Sequence, residues 1–347
     1  MDRPVRTRSL LRLPRQARRQ DGGVTPPPLS GTAALAGLPP LTVHLPQPEI
    51  GPWRAGNAGL PGVWRFAAAE AGPHLVVSAA VHGNEIAGAL LLARWLRDGV
   101  RPRRGTLTLV FGNLAALERF DPADPTASRF VDEDLNRIWA PALLASGRRS
   151  VELERARALL PVVAQADVLL DLHSMLWPSD PLFLSGPGAA ARRLGQDLGT
   201  PPLVVADDGH AAGLRLIDHA RFRDGGTALL LEAGSHWQKD TLAQMEHSAA
   251  RLLRQLGMAA PDAALPPDSA PPAGRLARVT RTVTAATSGF TFLRDFRGGE
   301  VVPRRNTLIA LDGEVEVRTP HDDCLLVMPS PHAMRGHTAV RLARFEG

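Results

Sequence analysis

Residues 74–81 are a short run of small, β-branched and otherwise apolar side chains, and this run narrows the possible folds more than any other segment. A strand that is apolar on both faces must be covered on both faces, which is typical of a parallel sheet between two layers of helices. Residues 86–97 follow closely and carry apolar side chains at helical spacing. The two segments together predict the strand-then-helix unit of an α/β protein.

The alternation of strand and helix continues as far as residue 256. Further strands are predicted at 106–111, 167–172, 202–205 and 227–232. Further helices are predicted at 150–165, 188–198 and 238–256. This order predicts a mixed, largely parallel central sheet with helices on both faces.

Changes in composition divide the chain into four segments. Proline and alanine crowd together at 258–274 and predict a stiff, exposed linker. Residues 275–347 hold short β-rich runs separated by Gly-Gly, Asp-Gly and proline, the pattern of a small β-rich domain. The α/β domain then covers 41–257. Residues 1–40 are rich in arginine and proline and predict a disordered tail, with an arginine-rich targeting segment as the alternative.

The positive charge of the chain is concentrated in this tail. The whole sequence carries a formal charge of +5, and residues 1–20 alone carry +6 because seven arginines face one aspartate. The rest of the chain is therefore at −1 and nearly neutral. A nucleic-acid-binding domain would carry its basic residues on the folded surface, so we expect no nucleic acid partner.

Size and composition indicate a globular protein of the cytoplasm. The 347 residues are 44% hydrophobic, which is enough for a substantial core. No stretch approaches the roughly 20 continuous apolar residues that a membrane helix requires, so we expect no membrane partner. Cys324 is the single cysteine, which excludes an internal disulfide and suits a reducing compartment. The oligomeric state stays open, and a homo-oligomer is allowed.

Two side chains that bind metals lie three residues apart where the first strand ends. His82 and Glu85 occupy the turn before the helix, and open α/β sheets bind their ligands at this edge. A catalytic zinc site needs three protein ligands and one open position. His173 is the best third ligand because it ends another apolar strand and would project from the same edge. The alternatives are a surface pair at 82–85 and a core histidine, bonded to the backbone, at 173.

Residues 129–137 form a charged loop ahead of the strand that carries His173. The guanidiniums of Arg129 and Arg137 and the amide of Asn136 offer hydrogen bonds to a carboxylate, which arginine grips through two parallel bonds. A site that binds an acidic substrate and polarises its carbonyl group needs such side chains. The alternative is a solvated loop whose charges pair with one another.

Glu232 ends a very apolar strand and precedes Ala233 and Gly234. Burial at such a place raises the pKa of a carboxyl group. A glutamate there can take a proton from water that zinc activates and later deliver it to a leaving nitrogen. The alternative, a glutamate that caps a helix, fits a strand end less well.

These motifs, taken in order, resemble the succinylglutamate desuccinylase and aspartoacylase family, a branch of the zinc carboxypeptidase superfamily. The resemblance covers about residues 74–240, and the β-rich segment after the linker is compatible with the family's small C-terminal domain. It implies a zinc carboxypeptidase-like fold. It also implies that His82, Glu85 and His173 bind one Zn²⁺ ion per chain.

The loop and the strand-end glutamate resemble further elements of this family. Asp134-Leu135-Asn136-Arg137 is similar to its Asp-x-Asn-Arg element. This implies that Asn136 and Arg137 hold a substrate carboxylate and that Asp134 orients a zinc-binding histidine. Arg129 falls where the family keeps the arginine that polarises the scissile carbonyl, and Glu232 resembles its general base.

The resemblance implies a zinc-dependent amidohydrolase that removes the acyl group from an N-acyl amino acid or a similar small acidic substrate. One alternative is a carboxypeptidase-like metallopeptidase that acts on short peptides. The others are a zinc-binding protein without turnover and a module whose arginine-rich tail binds nucleic acid or an acidic partner. The intact Glu232 argues against a site without turnover.

One departure from the family concerns how the substrate is held. Family members often use tyrosines to grip it, and this chain has no tyrosine. The side chains that we consider as replacements are Trp139, Trp177, His219, Phe222 and Arg223. Besides His219, two further histidines stay candidates for the site, His210 and His236.

Overall fold

The computed structural model describes residues 41–347 apart from Pro187 and Ala211, and the predicted tail, residues 1–40, lies outside the described residues. The strands are β1 (Val63–Ala67), β2 (Glu70–Ala79), β3 (Arg104–Phe111), β4 (Val168–Met175), β5 (Leu182–Ser185), β6 (Leu203–Ala206), β7 (Thr227–Ser235), β8 (Arg275–Thr284), β9 (Phe290–Phe292), β10 (Val301–Val302), β11 (Leu308–Asp312), β12 (Val315–Arg318), β13 (Cys324–Val327) and β14 (Thr338–Phe345). The α-helices are α1 (Ile86–Arg97), α2 (Leu114–Leu117), α3 (Pro141–Leu144), α4 (Val151–Gln165), α5 (Ala189–Leu198), α6 (Ala220–Arg223) and α7 (Lys239–Gln255).

One large sheet runs through the described part of the chain. Its eleven strands have the order β1-β3-β2-β4-β7-β5-β6-β8-β14-β13-β10. The four neighbours β3, β2, β4 and β7 are all parallel, and β5 then runs antiparallel to β7. The next strands, β6 and β8, are parallel to β5, whereas β14, β13 and β10 follow in antiparallel pairs. The predicted mixed α/β sheet with a parallel centre is confirmed.

Helices cover the central strands on both faces, so the side chains of each strand pack into two separate hydrophobic cores. On one face, Leu75 and Val77 of β2 share a buried cluster with Trp95 of α1. On the other face, Val76 shares a second cluster with Leu153 of α4. Full burial of one such side chain contributes about 1.5–3 kcal/mol to stability, which is why the strand is apolar at successive positions.

The β-rich C-terminal segment continues the same sheet. The segment predicted as a linker, 258–274, leads into β8, which pairs with β6 from Leu203 opposite Arg275 to Ala206 opposite Arg278. Strands β12, β11 and β9 form a second, three-stranded sheet. The division of the chain into domains stays a prediction, and the hydrogen-bonded edge between β6 and β8 joins the two parts.

Two strands before the predicted linker were not predicted. β1 and β5 are five and four residues long, and β1 pairs with β3 alone at the edge of the sheet. Short strands of this kind are stabilised by the neighbour they pair with rather than by their own sequence pattern. Among the helices of the described residues, none combines the length and the apolar character that crossing a bilayer requires.

Candidate metal centre and active site

The carboxyl ends of β2, β4 and β7 bring four of the predicted site residues together. The three strands are neighbours in the sheet, and His173 of β4 lies opposite Glu232 of β7. His82 and Glu85 occupy the turn between β2 and α1. Because parallel strands end at the same edge of a sheet, all four side chains lie on one edge, where the sequence predicts them.

The turn after β2 depends on two unusual backbone positions. Ala80 has a φ of 53°, a left-handed conformation that non-glycine residues rarely adopt and that often marks functional sites. A Cβ atom on Gly83 would lie 2.3 Å from the carbonyl carbon of Ala116 and 2.5 Å from the carbonyl oxygen of Ser128. The amide of Gly83 donates to the carbonyl oxygen of Arg129 at 3.0 Å. Glycine at this position therefore lets the turn touch the loop that carries Arg129.

His82, Glu85 and His173 aim donor atoms at a common space, and we call these three residues the histidine end of the pocket. One donor atom of each lies within 4.8 Å of the other two, and all three side chains are buried. Glu85 lies between the rings, with Oε1 2.7 Å from Nδ1 of His82 and Oε2 3.1 Å from Nδ1 of His173. Two imidazoles and a carboxylate with one position left open are typical of catalytic zinc sites.

An aspartate holds each histidine from behind. Nε2 of His82 donates to Asp134 at 2.9 Å, and Nε2 of His173 donates to Asp171 at 2.8 Å. Because a carboxylate can only accept, the proton of each Nε2 points at its aspartate, and Nδ1 is the ring atom turned towards Glu85. Asp134 lies where the sequence predicts it. Asp171 was not singled out, although its place two residues before His173 on the same strand face was the available signal.

The charges at the histidine end fit a divalent cation. In the metal-free protein, burial opposes a charge on His173, but Asp171 and Glu85 outweigh it and raise the pKa of His173 well above its ordinary value. Burial also opposes ionisation of Glu85, yet His82 and His173 hold the pKa of Glu85 well below its ordinary value. A histidine that takes up a proton in the absence of metal indicates a site built for positive charge. The residues present therefore fit the zinc ion that the sequence predicts.

Arg129 and Glu232 flank the histidine end. Nη2 of Arg129 donates to Asp134 at 3.2 Å, and Nη1 lies 3.5 Å from Oε1 of Glu85. Glu232 is buried, and its Oε2 atom has no hydrogen-bond partner within the described chain. Burial and the charge of Glu85 raise the pKa of Glu232 to about 8. A carboxyl group with a free oxygen and a pKa near neutrality is suited to carrying a proton.

Glu152 of α4 fixes the loop that carries Arg129 and Arg137. Its carboxylate is fully buried and accepts hydrogen bonds from the backbone amides of residues 131–133, at 2.6, 3.0 and 3.2 Å. The side-chain amide of Asn113 donates a fourth bond at 2.9 Å. The loop is therefore anchored to the helix rather than solvated. The sequence did not mark Glu152, because a helix glutamate of this kind usually faces solvent.

Asn136 and Arg137 end this loop and line the pocket. Oδ1 of Asn136 accepts a hydrogen bond from the amide of Leu216 at 2.8 Å, so its side-chain nitrogen is the group left to meet a ligand. Nη1 of Arg137 donates to the carbonyl oxygen of Asn136 at 2.7 Å. Burial lowers the pKa of Arg137, and neighbouring arginines lower it further.

A pocket of about 310 Å³ connects these groups. Trp177 lines it, as does each of the two histidines that the sequence left open, His210 and His236. Burial lowers the pKa of His236 to about 4, and burial together with three nearby arginines lowers the pKa of His210 to about 2, so both rings are neutral at pH 7. Within the described chain, four of the considered tyrosine replacements lie outside the lining: Trp139, His219, Phe222 and Arg223.

The lining of the pocket also holds two arginines that the sequence did not predict, Arg215 and Arg341. Arg215 precedes a short 3₁₀ helix, Leu216–Asp218, and Arg341 lies in β14. Together with Arg137 we call them the arginine end of the pocket. Arg215 and Arg341 share Asp207, whose Oδ2 atom lies 2.9 Å from Nη1 of Arg215 and 3.0 Å from Nε of Arg341.

Comparison with known proteins places this site in a family. Residues 71–256, more than half of the chain, match the model of the succinylglutamate desuccinylase/aspartoacylase catalytic domain. The chain is 41% identical over 106 residues to a probable aspartoacylase of Parasynechococcus marenigrum. It is 34% identical over 109 residues to an N-acyl-aromatic-L-amino acid amidohydrolase (carboxylate-forming) of Xenopus laevis. Each match covers 29% of this chain and 33% of the relative, so it spans a third of the relative's length.

A solved structure shows the same fold. The crystal structure of a succinylglutamate desuccinylase/aspartoacylase from Rhodobacter sphaeroides superposes with a TM-score of 0.61, over 82% of this chain and 89% of that chain. The sequences are 17% identical, so this likeness concerns the fold alone. The match to the catalytic-domain model includes the histidine end and Glu232, and the chain therefore belongs to the succinylglutamate desuccinylase/aspartoacylase family.

Proposed function

We propose that the protein is a zinc-dependent amidohydrolase that removes the acyl group from an N-acyl amino acid or a similar small acidic substrate. The observation that carries this proposal is the convergence of three donor atoms within 4.8 Å, beside a buried glutamate whose pKa is raised to about 8. Imidazole and carboxylate donors with an open position favour zinc. The arginine end of the same pocket favours a substrate that carries a carboxylate.

The histidine end would hold the ion through Nδ1 of His82, Nδ1 of His173 and the carboxylate of Glu85. Zinc bound there would polarise the scissile carbonyl and lower the pKa of a water molecule. Asp134 and Asp171 fix the orientation of the two rings. Partners of this kind raise the basicity of the ligands, and their loss typically costs about 10–100-fold in metal affinity or activity.

Glu232 carries the proton in this proposal. In its ionised form it takes a proton from the attacking water, and it passes that proton to the amine nitrogen as the carbon–nitrogen bond breaks. A pKa raised toward neutrality suits a group that must both accept and donate. Arg129 donates hydrogen bonds to the carbonyl oxygen as negative charge develops on it, a contribution of about 3 kcal/mol for a typical single donor.

Asn136 and Arg137 bind the substrate carboxylate in this proposal. The amide nitrogen of Asn136 is free because its oxygen is held by Leu216, and Glu152 fixes the loop that leads to both residues. The names of the relatives support a substrate of this class, since one is called an aspartoacylase and another an amidohydrolase of N-acylated amino acids. The carboxylate fixes the substrate so that its amide reaches the histidine end.

Metal analysis and a substrate panel test the proposal. Mass spectrometry of the purified full-length protein should find about one zinc ion per chain, because the three ligands form one site. Hydrolysis of N-acyl amino acids should disappear on chelation and return on addition of zinc. The panel should contain acyl groups of different length on both acidic and neutral amino acids, together with short peptides.

Two results of this panel would contradict the amidohydrolase. Release of C-terminal residues from peptides, with no hydrolysis of acyl-amino acids, would assign the site to a carboxypeptidase-like enzyme. Stoichiometric zinc with no turnover on any compound would assign it to metal binding alone. Deletion of residues 1–40 should leave hydrolysis intact, since none of the proposed site residues lies in that segment.

A further inference from the structure

Arg341 reaches the pocket from a strand outside the matched catalytic domain. The match to the family's catalytic-domain model ends at residue 256, whereas Arg341 lies in β14, the third strand from the β10 edge of the large sheet. Its side chain lines the pocket although only 7% of the residue's surface is exposed. Burial of a guanidinium costs free energy unless it is paired. The partners of Arg341 therefore decide which of its hydrogen-bond donors are left for a ligand.

The pairing of β14 with β8 is irregular on either side of this residue, with one extra residue in β14 at Ala339 and one in β8 at Thr280. Such bulges increase the local twist of a strand and re-aim its side chains, and they are common beside active sites. Arg341 lies between the two irregular positions and contacts Asp207 and the pocket rather than the core of the C-terminal segment.

The guanidinium of Arg341 is only partly used inside the protein. Its Nε atom donates to Asp207 at 3.0 Å, and neither terminal nitrogen has a partner among the described residues. Arg215 differs, because all three of its nitrogens donate, to Asp207 and to Asp218, at 2.6–3.1 Å. Arg341 is therefore the member of this pair that keeps hydrogen-bond donors for a ligand.

The arginine end brings three guanidiniums close together. Asp207 and Asp218 pair with Arg215 and Arg341, whereas Arg137 has no ion-pair partner of its own there within the described chain and is opposed by the charge of Asp134. Burial lowers the pKa of Arg341 and of Arg137, and neighbouring arginines lower both further. Bound anions would relieve this repulsion.

We propose that Arg341 is a specificity-determining residue that binds a second carboxylate of the substrate, apart from the one assigned to Asn136 and Arg137. The proposal rests on the proposed function, since it concerns the same pocket. A substrate with one carboxylate, held at Arg137, leaves the terminal nitrogens of Arg341 in the pocket without a charged partner. A substrate with two carboxylates pairs both guanidiniums.

The second carboxylate has two chemical sources, which matched compounds separate. It lies either on the side chain of the amino acid or at the far end of the acyl group. N-acetylaspartate and N-acetylasparagine differ only in the charge of the amino acid side chain. N-succinylalanine and its terminal amide, N-succinamoylalanine, differ only in the charge of the acyl group.

The experiment measures kcat/KM for these four compounds with the full-length, zinc-loaded protein. The variants are Arg341→Gln, which removes the charge, and Arg341→Lys, which keeps the charge and loses the planar fork. Arg344→Gln is the matched control, because Arg344 is an exposed arginine of the same strand and the change removes the same charge. Melting temperatures establish that each variant is folded, and Arg341→Lys decides the question if Arg341→Gln does not fold.

We expect the wild type to prefer the charged member of at least one pair by about 10- to 100-fold, the range for hydrogen bonds to a charged group. Arg341→Gln should remove most of this preference, Arg341→Lys part of it, and Arg344→Gln none. An equal loss on both members of each pair, or a wild type without preference in either pair, would overturn the proposal. If the wild type hydrolyses other N-acyl amino acids of the panel but none of these four, the specificity proposal fails alone. If it hydrolyses no N-acyl amino acid at all, the proposed function fails and the specificity proposal fails with it.

Discussion

The two ends of the pocket are built on opposite principles. At the histidine end, a buried carboxylate lies between two imidazoles, each of which is hydrogen-bonded to an aspartate. This arrangement favours a bound cation. At the arginine end, buried guanidiniums line the same cavity, and this arrangement favours a bound anion. Glu232 is influenced by both, because the charges of Glu85 and Arg341 act on its pKa in opposite directions.

This difference teaches how one small cavity can orient an acidic substrate. A carboxylate is attracted to the guanidiniums and repelled by Glu85 unless a cation is bound there. In the proposed reaction, the amide group of the substrate, which has no net charge, would then meet Arg129 and Glu232. The polarity of the cavity therefore selects one direction of binding out of two.

Replacement of a ligand at the histidine end should have the largest effect and would separate the two ends most sharply. We expect His173→Ala to lose the bound metal and to lower turnover by on the order of 10³-fold or more, since both the cation and its aim at the carbonyl are lost. Mass spectrometry and steady-state kinetics measure the two effects.

The matched control for this change is His247→Ala, because His247 is an exposed histidine on α7. That variant should keep its metal and its turnover. If His173→Ala retains a full complement of zinc, the three side chains do not form one metal site. The histidine end would then not be the cation-binding end of the pocket.

Replacement of Glu232 should have the next largest effect and tests the group that both ends influence. We expect Glu232→Gln to lower kcat by roughly 10²- to 10⁴-fold, the range for a general base, while zinc stays bound. The same change should stabilise the chelated protein. The folded protein keeps a proton on Glu232 up to a pKa of about 8, whereas the unfolded chain releases it near 4.5.

The sign of the pH dependence follows from these two values. Between them the folded state binds more protons, so the contribution of Glu232 to stability is fully present below the unfolded pKa and is lost as pH rises toward about 8. The melting temperature of chelated Glu232→Gln should therefore exceed that of the wild type by more at pH 8 than at pH 5. A difference that is the same at both pH values would show that Glu232 does not titrate in this way.

Replacement of Glu152 should have the smallest effect. It tests whether a single loop positions side chains at both ends of the pocket. Glutamine presents an NH₂ group where the carboxylate accepts from the amides of residues 131–133. We expect Glu152→Gln to lower the free energy of unfolding by about 1–3 kcal/mol, because buried amides lose an acceptor. Denaturant titration measures this change.

The neighbouring Glu154→Gln is the control, since Glu154 lies on the same helix but is exposed and pairs with Arg149. It should leave the free energy of unfolding nearly unchanged. Steady-state kinetics of Glu152→Gln should show both a lower kcat and a higher KM, because Arg129 and Arg137 belong to the displaced loop. A change confined to one of these constants would mean that the loop serves one end alone.

The histidine end could be predicted from the sequence because topology brings its parts together. His173 and Glu232 each lie near the end of an apolar strand, and His82 and Glu85 follow a third. Strands that are apolar on both faces and joined through helices are typically parallel, so their carboxyl ends lie at one edge of the sheet and their terminal residues meet there. The roles of these residues remain predictions.

The arginine end could not be predicted in the same way. Arg215 lies in a loop and Arg341 in a strand of the C-terminal segment, and their common partner, Asp207, is 134 residues from Arg341 in the chain. Among 40 basic residues of which all but Lys239 are arginine, neither arginine stood out. Their importance depends on burial and on the irregular pairing of β14 with β8, which are features of the folded protein and leave no local pattern.

The irregular pairing of β14 with β8 has a consequence for how such a protein diversifies. By our proposals, the reaction chemistry and the first carboxylate site lie before residue 256, and the second carboxylate site lies in β14. Gain or loss of one residue beside a bulge would present a new side chain to the cavity and leave the ligands of the ion in place. We therefore expect substitutions in this strand to change which substrate is cleaved without changing the reaction itself.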